Sequence, residues 1–360
     1  VRIVFVNSAW AESWGGGEKW TVEAAAWFKQ RGNEVLVVGR PNSRLIAAAR
    51  KRGLTAVETP FGGDFDPLAF KRAYSILKSL RANLAVVNFN KEAWQFGMAA
   101  RSYGIPVLAR HGYPVLSQKL HHRLLLGLLS KLVVNADSIR RHYESLGLPV
   151  WDIDVIHNGT ASVARKPGAL RRRFNIPPET RLVIGAGRLE SQKRFDIFIR
   201  VAEKLLREQP NLQFLIAGDG PLQESLTAQI QEAGLQDRVR LIGFLPDFAE
   251  VVCDADLFLL TSENEGTPNV LLEAMAAAVP CVSFSVGAVP EILTGSLKAD
   301  CIAAGDANAM TNRALELLQN EAQRQQSAAE CAERIRQEFT LDVSMQRFEQ
   351  LFLKLTGTPA

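Results

Sequence analysis

Apolar positions gather into short runs separated by polar, amphipathic stretches of helical length. In the first half the runs are RIVFVN at 2–7, EVLVVG at 34–39, LAVVNF at 84–89, PVLARHG up to His111 and VVNAD at 133–137. Runs this short and continuously apolar read as strands buried on both faces. Between them TVEAAAWFKQRG, 42–53, 67–81, 91–103 and the stretch from Ser138 to about Gly147 carry helical patterning. The order strand, loop, helix, strand predicts a Rossmann-like parallel unit. Residues 161–180, with KPGALRRR and IPPE, read as a crossover between domains. The pattern then repeats through RLVIGAG at 181–187, the amphipathic FDIFIRVAEKLLREQ, NLQFLIAGDGPL at 211–222, RVRLIGFLP at 238–246 and DADLFLL, ending near Leu260. PCVSF and CIAAGD supply two more strands, and the chain is helical from about Asn308 to Leu355.

Length supports this doubling, since 360 residues suffice for two substantial cores. The opening VRIVFVNS reads as a first strand rather than a signal peptide, and no apolar run reaches membrane-spanning length. The expected location is therefore cytoplasmic. Cys253, Cys281, Cys301 and Cys331 are widely spaced, which predicts neither a disulfide framework nor a structural zinc site. The net charge of +4 conceals an asymmetry: residues 1–173 hold 26 Lys or Arg against 12 Asp or Glu, and residues 174–360 hold 16 against 26. A basic half of this kind attracts an anionic membrane surface, a phosphorylated acceptor or nucleic acid, without choosing among them. LSQKLHHRLLLGLLSKL at 116–132 reads either as a packed helix or as one lying in a membrane interface.

Candidate chemistry concentrates after Leu260. Thr267 can cap a helix with Pro268 at its first position, so free amides and the positive dipole end face whatever lies beyond the strand. That is an anion site in the making, suited to a diphosphate. Glu265 and Glu273 flank it and can accept hydrogen bonds from hydroxyls on such a ligand. In GRLESQKRFD, Arg188 and Lys193 sit on a loop after a strand, where two cations can neutralise a diphosphate and its growing charge. Gly15, Gly16 and Gly17 lie at the first strand-to-helix junction without the spacing of a dinucleotide fingerprint. His111 follows a strand end, where it can donate to a hydroxyl.

Taken together, EGTPNVLLEA with its glutamates eight positions apart, GRLESQKRFD and GGGE resemble the retaining GT-B glycosyltransferases, in particular the glycosyl transferases group 1 family. The resemblance covers the whole chain and implies two Rossmann-like α/β/α domains facing each other across a deep cleft. The expected divisions are an acceptor-binding domain at 1–165, a nucleotide-sugar domain at 166–340 and a returning helix at 341–360. It implies donor-phosphate binding by Arg188 and Lys193, donor-sugar contacts from His111 and Glu265, and ribose binding by Glu273. Gly16, Gly17 and Glu18 match the family's glycine loop. Gly218 borders the nucleotide, Gly243, Phe244 and Leu245 frame the base, and Gly266, Thr267, Pro268, Asn269 and Val270 form the helix start beneath the diphosphate. Two departures stand out: Arg194 replaces the glycine after the lysine, and His157 replaces the proline of a Pro-Asn-Gly turn.

The expected activity is transfer of a hexose from a UDP- or GDP-sugar to a hydroxyl of a cell-envelope glycan or lipid-linked acceptor, with no required cofactor, no metal and no nucleic-acid partner. Alternatives are a nucleotide-sugar epimerase on a similar frame and a non-catalytic glycan- or membrane-binding protein.

Overall fold

The computed structural model describes residues 1–148 and 153–357. The chain divides into two compact units, Val1–Asn158 with Val343–Ala360, and Gly159–Asp342. The first is built on seven parallel strands: β1 (Arg2–Asn7), β2 (Glu34–Gly39), β3 (Thr55–Glu58), β4 (Leu84–Val87), β5 (Val107–His111), β6 (Lys131–Val134) and β7 (Ile153–Val155). They lie in the order β3-β2-β1-β4-β5-β6-β7. Each crossover is a helix, as parallel pairing demands. β1 sits centrally, with Phe5 level with Val37 of β2 and Val86 of β4, and its side chains are buried from Ile3 onward.

The helix Leu341–Thr356 completes this unit's core. Phe352 stacks on Phe28 at 4.7 Å, Phe348 meets Trp20 at 5.1 Å, and Phe352 reaches Phe5 at 6.4 Å. The carboxyl-terminal segment is thus part of the amino-terminal core.

The second unit holds β8 (Arg181–Ala186), β9 (Leu212–Ala217), β10 (Val239–Leu241), β11 (Leu257–Leu260), β12 (Cys281–Phe284) and β13 (Cys301–Ile302). Their order, β10-β9-β8-β11-β12-β13, is again parallel throughout, with the neighbour order reversing beside β8. The helix Phe195–Glu208 follows β8 and buries Ile197, Phe198, Val201 and Leu205 on one stripe, as its sequence period predicts.

Four expectations need correction. The first helix runs from Gly16 rather than from Thr21, because Glu18 folds back to accept from the Gly15 amide at 2.8 Å and closes the helix start early. The helix of the EGTPNVLLEA run covers Asn269–Ala276 with Pro268 at its cap, so Thr267 lies outside it. The 116–132 segment is neither one packed helix nor one interfacial helix: helix Leu120–Leu126 gives way at Gly127, and Lys131 already begins β6. Residues 161–180 contain the helix Ala169–Phe174, anchored within the second unit where Asp254 accepts from the amides of Leu170 and Arg171 at 2.8 and 3.1 Å.

Candidate active site

In the second unit the relevant loops follow β8, β9, β11 and β12. In open α/β sheets ligands bind beyond the strands' carboxyl ends, where the order reverses. The loop after β8 carries Lys193, whose Nζ donates to Glu265 Oε1 at 2.6 Å. Both are largely covered, with side chains 19% and 8% exposed, so the pair is held in place rather than loosely solvated. Two further hydrogen bonds fix this meeting. Thr261 Oγ1 donates to the Lys193 carbonyl at 3.0 Å, and Gln192 Nε2 donates to the Asn264 carbonyl at 2.6 Å. Beside them Ser262 Oγ is buried without a partner among the described residues. Arg188 stands apart, more than half exposed and paired with Glu190 at 3.0 Å.

Arg194 adopts φ 50° and ψ 42°, the left-handed conformation for which glycine is best suited. Its guanidinium reaches Asp196 at 3.0 Å and Glu263 at 3.3 Å, so ion pairs offset the backbone strain and tie the loop to the segment after β11.

The glycines act largely through backbone contacts. A Cβ on Gly218 would lie 1.9 Å from the Gly187 carbonyl oxygen, and Gly218 N donates to Gly243 O at 2.8 Å. A Cβ on Gly287, at φ 54°, would come within 2.2 Å of Glu265 O and 2.5 Å of Gly266 O. The neighbouring Ala288 amide donates to Gly266 O at 2.9 Å. The turn after β12 is therefore a seat for the Glu265–Gly266 backbone. Thr261 and Gln192 carry no signal of their own in the sequence, whereas VGAVPE, which holds Gly287, reads there as a glycine turn. Beyond this seat Thr267 is buried, and Glu273 is buried in the helix two turns from Glu265, whereas Phe244 is exposed and Leu245 buried. Pro268 caps that helix, and Asn269 and Val270 form its first turn.

In the first unit Gly16 and Gly17 open the first helix. Glu18 is buried and occupied by the Gly15 amide and the Ser13 hydroxyl, a capping role that accounts for its position. His111 closes β5. The Tyr143 hydroxyl lies 3.0 Å from His111 Nδ1 and accepts from the Val115 amide at 2.9 Å. The direction of the Tyr143–His111 bond follows the imidazole tautomer, so either ring nitrogen can carry the proton. Nε2 is buried with no partner among the described residues. Burial first, then the charges of Arg110 and His122, push the His111 pKa down to about 3, so this ring is neutral at ordinary pH. Burial likewise lowers the Arg110 pKa to about 9 against the pull of Glu18.

Two parallel, helix-covered sheets, the second with its strand-order reversal beside the Lys193–Glu265 pair, define a protein of the GT-B class. Two family models match in succession, Glycosyltransferase Family 4 over residues 14–161 and Glycosyl transferases group 1 over residues 168–338. The chain belongs to the glycosyl transferases group 1 and family 4 lineage of GT-B proteins. It is similar to the N-acetyl-alpha-D-glucosaminyl L-malate synthase of Bacillus anthracis, 25% identical over 238 residues that cover 65% of this chain and 62% of that protein. It spans 36% of the 2-deoxystreptamine N-acetyl-D-glucosaminyltransferase of Niallia circulans and 68% of the amylovoran biosynthesis glycosyltransferase AmsK of Erwinia amylovora, to which it is 27% identical over 293 residues. A glycosyltransferase of Rickettsia africae superposes with a TM-score of 0.86 at 15% identity, covering 99% of each chain. Anabaena Alr3699/HepE in complex with UDP-glucose gives 0.84 at 18% identity, covering 98% of this chain and 99% of that one.

Proposed function

We propose that this chain is a retaining hexosyltransferase that moves a sugar from a nucleotide diphosphate sugar to a hydroxyl acceptor. The observation that carries the reading is the largely covered Lys193–Glu265 pair beside the start of the Asn269–Ala276 helix. One lysine N–H is engaged by Glu265, leaving two for a diphosphate, and the helix start adds oriented amides. Arg188, extended on the same loop, adds a second cation. Glu265 keeps an oxygen for a hydroxyl of the sugar, and Glu273 accepts from the ribose. Gly218 and the Gly243–Leu245 segment border the nucleotide, with Gly266 to Val270 under the phosphates.

In this reading His111 donates to a hydroxyl of a bound sugar, and Gly16 and Gly17, beside Glu18, offer the amides of the first helix start to a ligand. The bond from the anomeric carbon to the diphosphate oxygen breaks and one to the acceptor oxygen forms on the same face. The acceptor's proton passes to the departing phosphate oxygen. Lys193 and Arg188 stabilise the charge on that leaving group, an effect that is larger where water is excluded. UDP-glucose in a structural relative supports a uridine donor, with GDP-sugars as the other class. The acceptor we propose is a cell-envelope glycan or lipid-linked glycan, approached at an anionic membrane surface by the basic first half and the exposed Leu120 and Leu124.

The test is a thermal-shift screen of UDP- and GDP-sugars, followed by NMR of the product's anomeric proton. One donor raises the melting temperature, Lys193→Ala abolishes the rise, and the product keeps the donor's configuration. Indifference to every donor, or an inverted product, refutes the reading.

A further inference from the structure

The start of the helix Asn90–Arg101 carries polar groups that the fold leaves unused. Asn90 Nδ2 donates to the Val115 carbonyl at 2.8 Å, which fixes the amide's orientation and turns its Oδ1 away, buried without a partner among the described residues. Four residues on, and hence on the same helix face, Trp94 is 7% exposed and its Nε1–H also lacks a partner among the described residues. An orphaned buried polar group costs about 1–3 kcal/mol, so two in one turn mark a place where something else completes them. Against Trp94, at 4.8 Å, lies the ring of Phe65, which is 66% exposed. Its loop is tied to the same helix by Gln95 Nε2 donating to Gly63 O at 2.9 Å.

The chemistry of this set is selective. One group accepts, one donates, and a fixed aromatic face lies beside them. A phosphate or carboxylate would meet the Asn90 carbonyl with like polarity, and a hydrocarbon chain would leave both groups unpaired. A sugar ring has hydroxyls that both donate and accept, and an apolar C–H face that fits an aromatic ring. The position suits an acceptor, because Val115 links the set to His111: its carbonyl holds Asn90 and its amide holds Tyr143, which bonds His111.

We propose that Asn90, Trp94 and Phe65 form a subsite for a saccharide acceptor. Asn90 Oδ1 accepts from a ring hydroxyl, Trp94 Nε1–H donates to a sugar oxygen, and Phe65 covers the ring's C–H face. The proposal rests on the glycosyltransferase reading and names the acceptor's class and where it docks.

Saturation-transfer NMR on the full chain without donor tests it, with methyl glucosides, methyl galactosides and N-acetylglucosamine as probes against L-malate and glycerol 3-phosphate. At least one sugar receives saturation on its ring protons, and neither anion does. Phe65→Ala, which removes an exposed ring, and Trp94→Phe, which keeps the packing and deletes the donor, each raise that sugar's Kd about fivefold. No transfer to any sugar, transfer to the anions alone, or an unchanged Kd in both variants overturns the subsite. Nucleotide-sugar thermal shifts report separately on the underlying reading: sugar binding with no donor shift removes that reading and leaves the subsite, and the reverse result removes the subsite alone.

Discussion

Gly287 shows how much of the proposed donor pocket is set by one residue that touches no ligand. Its φ of 54° and the 2.2 Å a Cβ would leave to Glu265 O make alanine doubly unwelcome. Gly287→Ala is expected to cost about 3 kcal/mol in urea unfolding and to weaken donor binding by about tenfold, because the Glu265–Gly266 backbone must move. A variant with wild-type donor affinity would mean that this backbone does not position the ligand. Residue-scale chemistry was partly legible. Lys193 and Glu265 lie 72 positions apart in the chain, yet the sequence motifs pointed to both and the fold joins them. Arg188 carries the same motif signal but turns to Glu190. Arg194 could be read only as a departure from glycine. Its compensation by Asp196 and Glu263 depends on where the loops meet, which no local pattern encodes.

At the scale of elements, long apolar runs and amphipathic stripes were the readable part. Most strands fall where continuous hydrophobic runs predict them, because burial on both faces leaves little choice of residue, whereas the short, half-exposed β3 and β7 carry no such run and were not expected. Helix starts were less legible. The first helix begins at Gly16 through a carboxylate folding back, and the 116–132 segment looked helical throughout because leucine suits a helix and a buried strand alike. The helix at Asn90 is held by a similar device, unseen in sequence. Glu92 is fully buried and accepts from the amides of Asn88 and Phe89 at 2.6 and 3.2 Å and from that of Ser8, so it pins the ends of β1 and β4 together. Burial outweighs those amides and raises its pKa to about 7.

The consequence for stability has a definite sign. Between the ordinary carboxyl pKa of 4.5 and about 7 the folded chain keeps a proton that the unfolded chain releases, so this group's contribution is full below that window and lost as pH rises through it. Glu92→Gln keeps a neutral side chain at every pH. The difference in melting temperature between variant and wild type should therefore shift in the variant's favour from pH 4.5 to pH 7.5. A difference that stays constant across that range would show that Glu92 does not titrate there.

For the whole molecule, the doubled α/β pattern was plain in the sequence, whereas the exact crossings were not, since polar linkers resemble one another. The two units are 1–158 with 343–360, and 159–342, against expected divisions at 165 and 340. Charge follows the units, the first holding 23 Lys or Arg against 13 Asp or Glu and the second 19 against 25. Among the described residues no helix is long and apolar enough to cross a membrane. Cosedimentation with vesicles containing phosphatidylglycerol is expected to exceed that with neutral vesicles, and to fall as salt rises from low to physiological ionic strength. Equal recovery on both vesicle types would remove the membrane surface from the proposed partners.

Thr160 and Thr340 lie side by side: the Thr160 amide donates to Phe339 O, and the Leu341 amide donates to Thr160 O, each at 2.9 Å. Gly159 is small enough to allow it, since a Cβ there would fall 2.2 Å from the Thr340 carbonyl oxygen. The segment between these two threonines therefore begins and ends at one place in its own unit, so it can be excised or exchanged as a cassette by matching two neighbouring cut points, with the seven-stranded core around β1 left uncut.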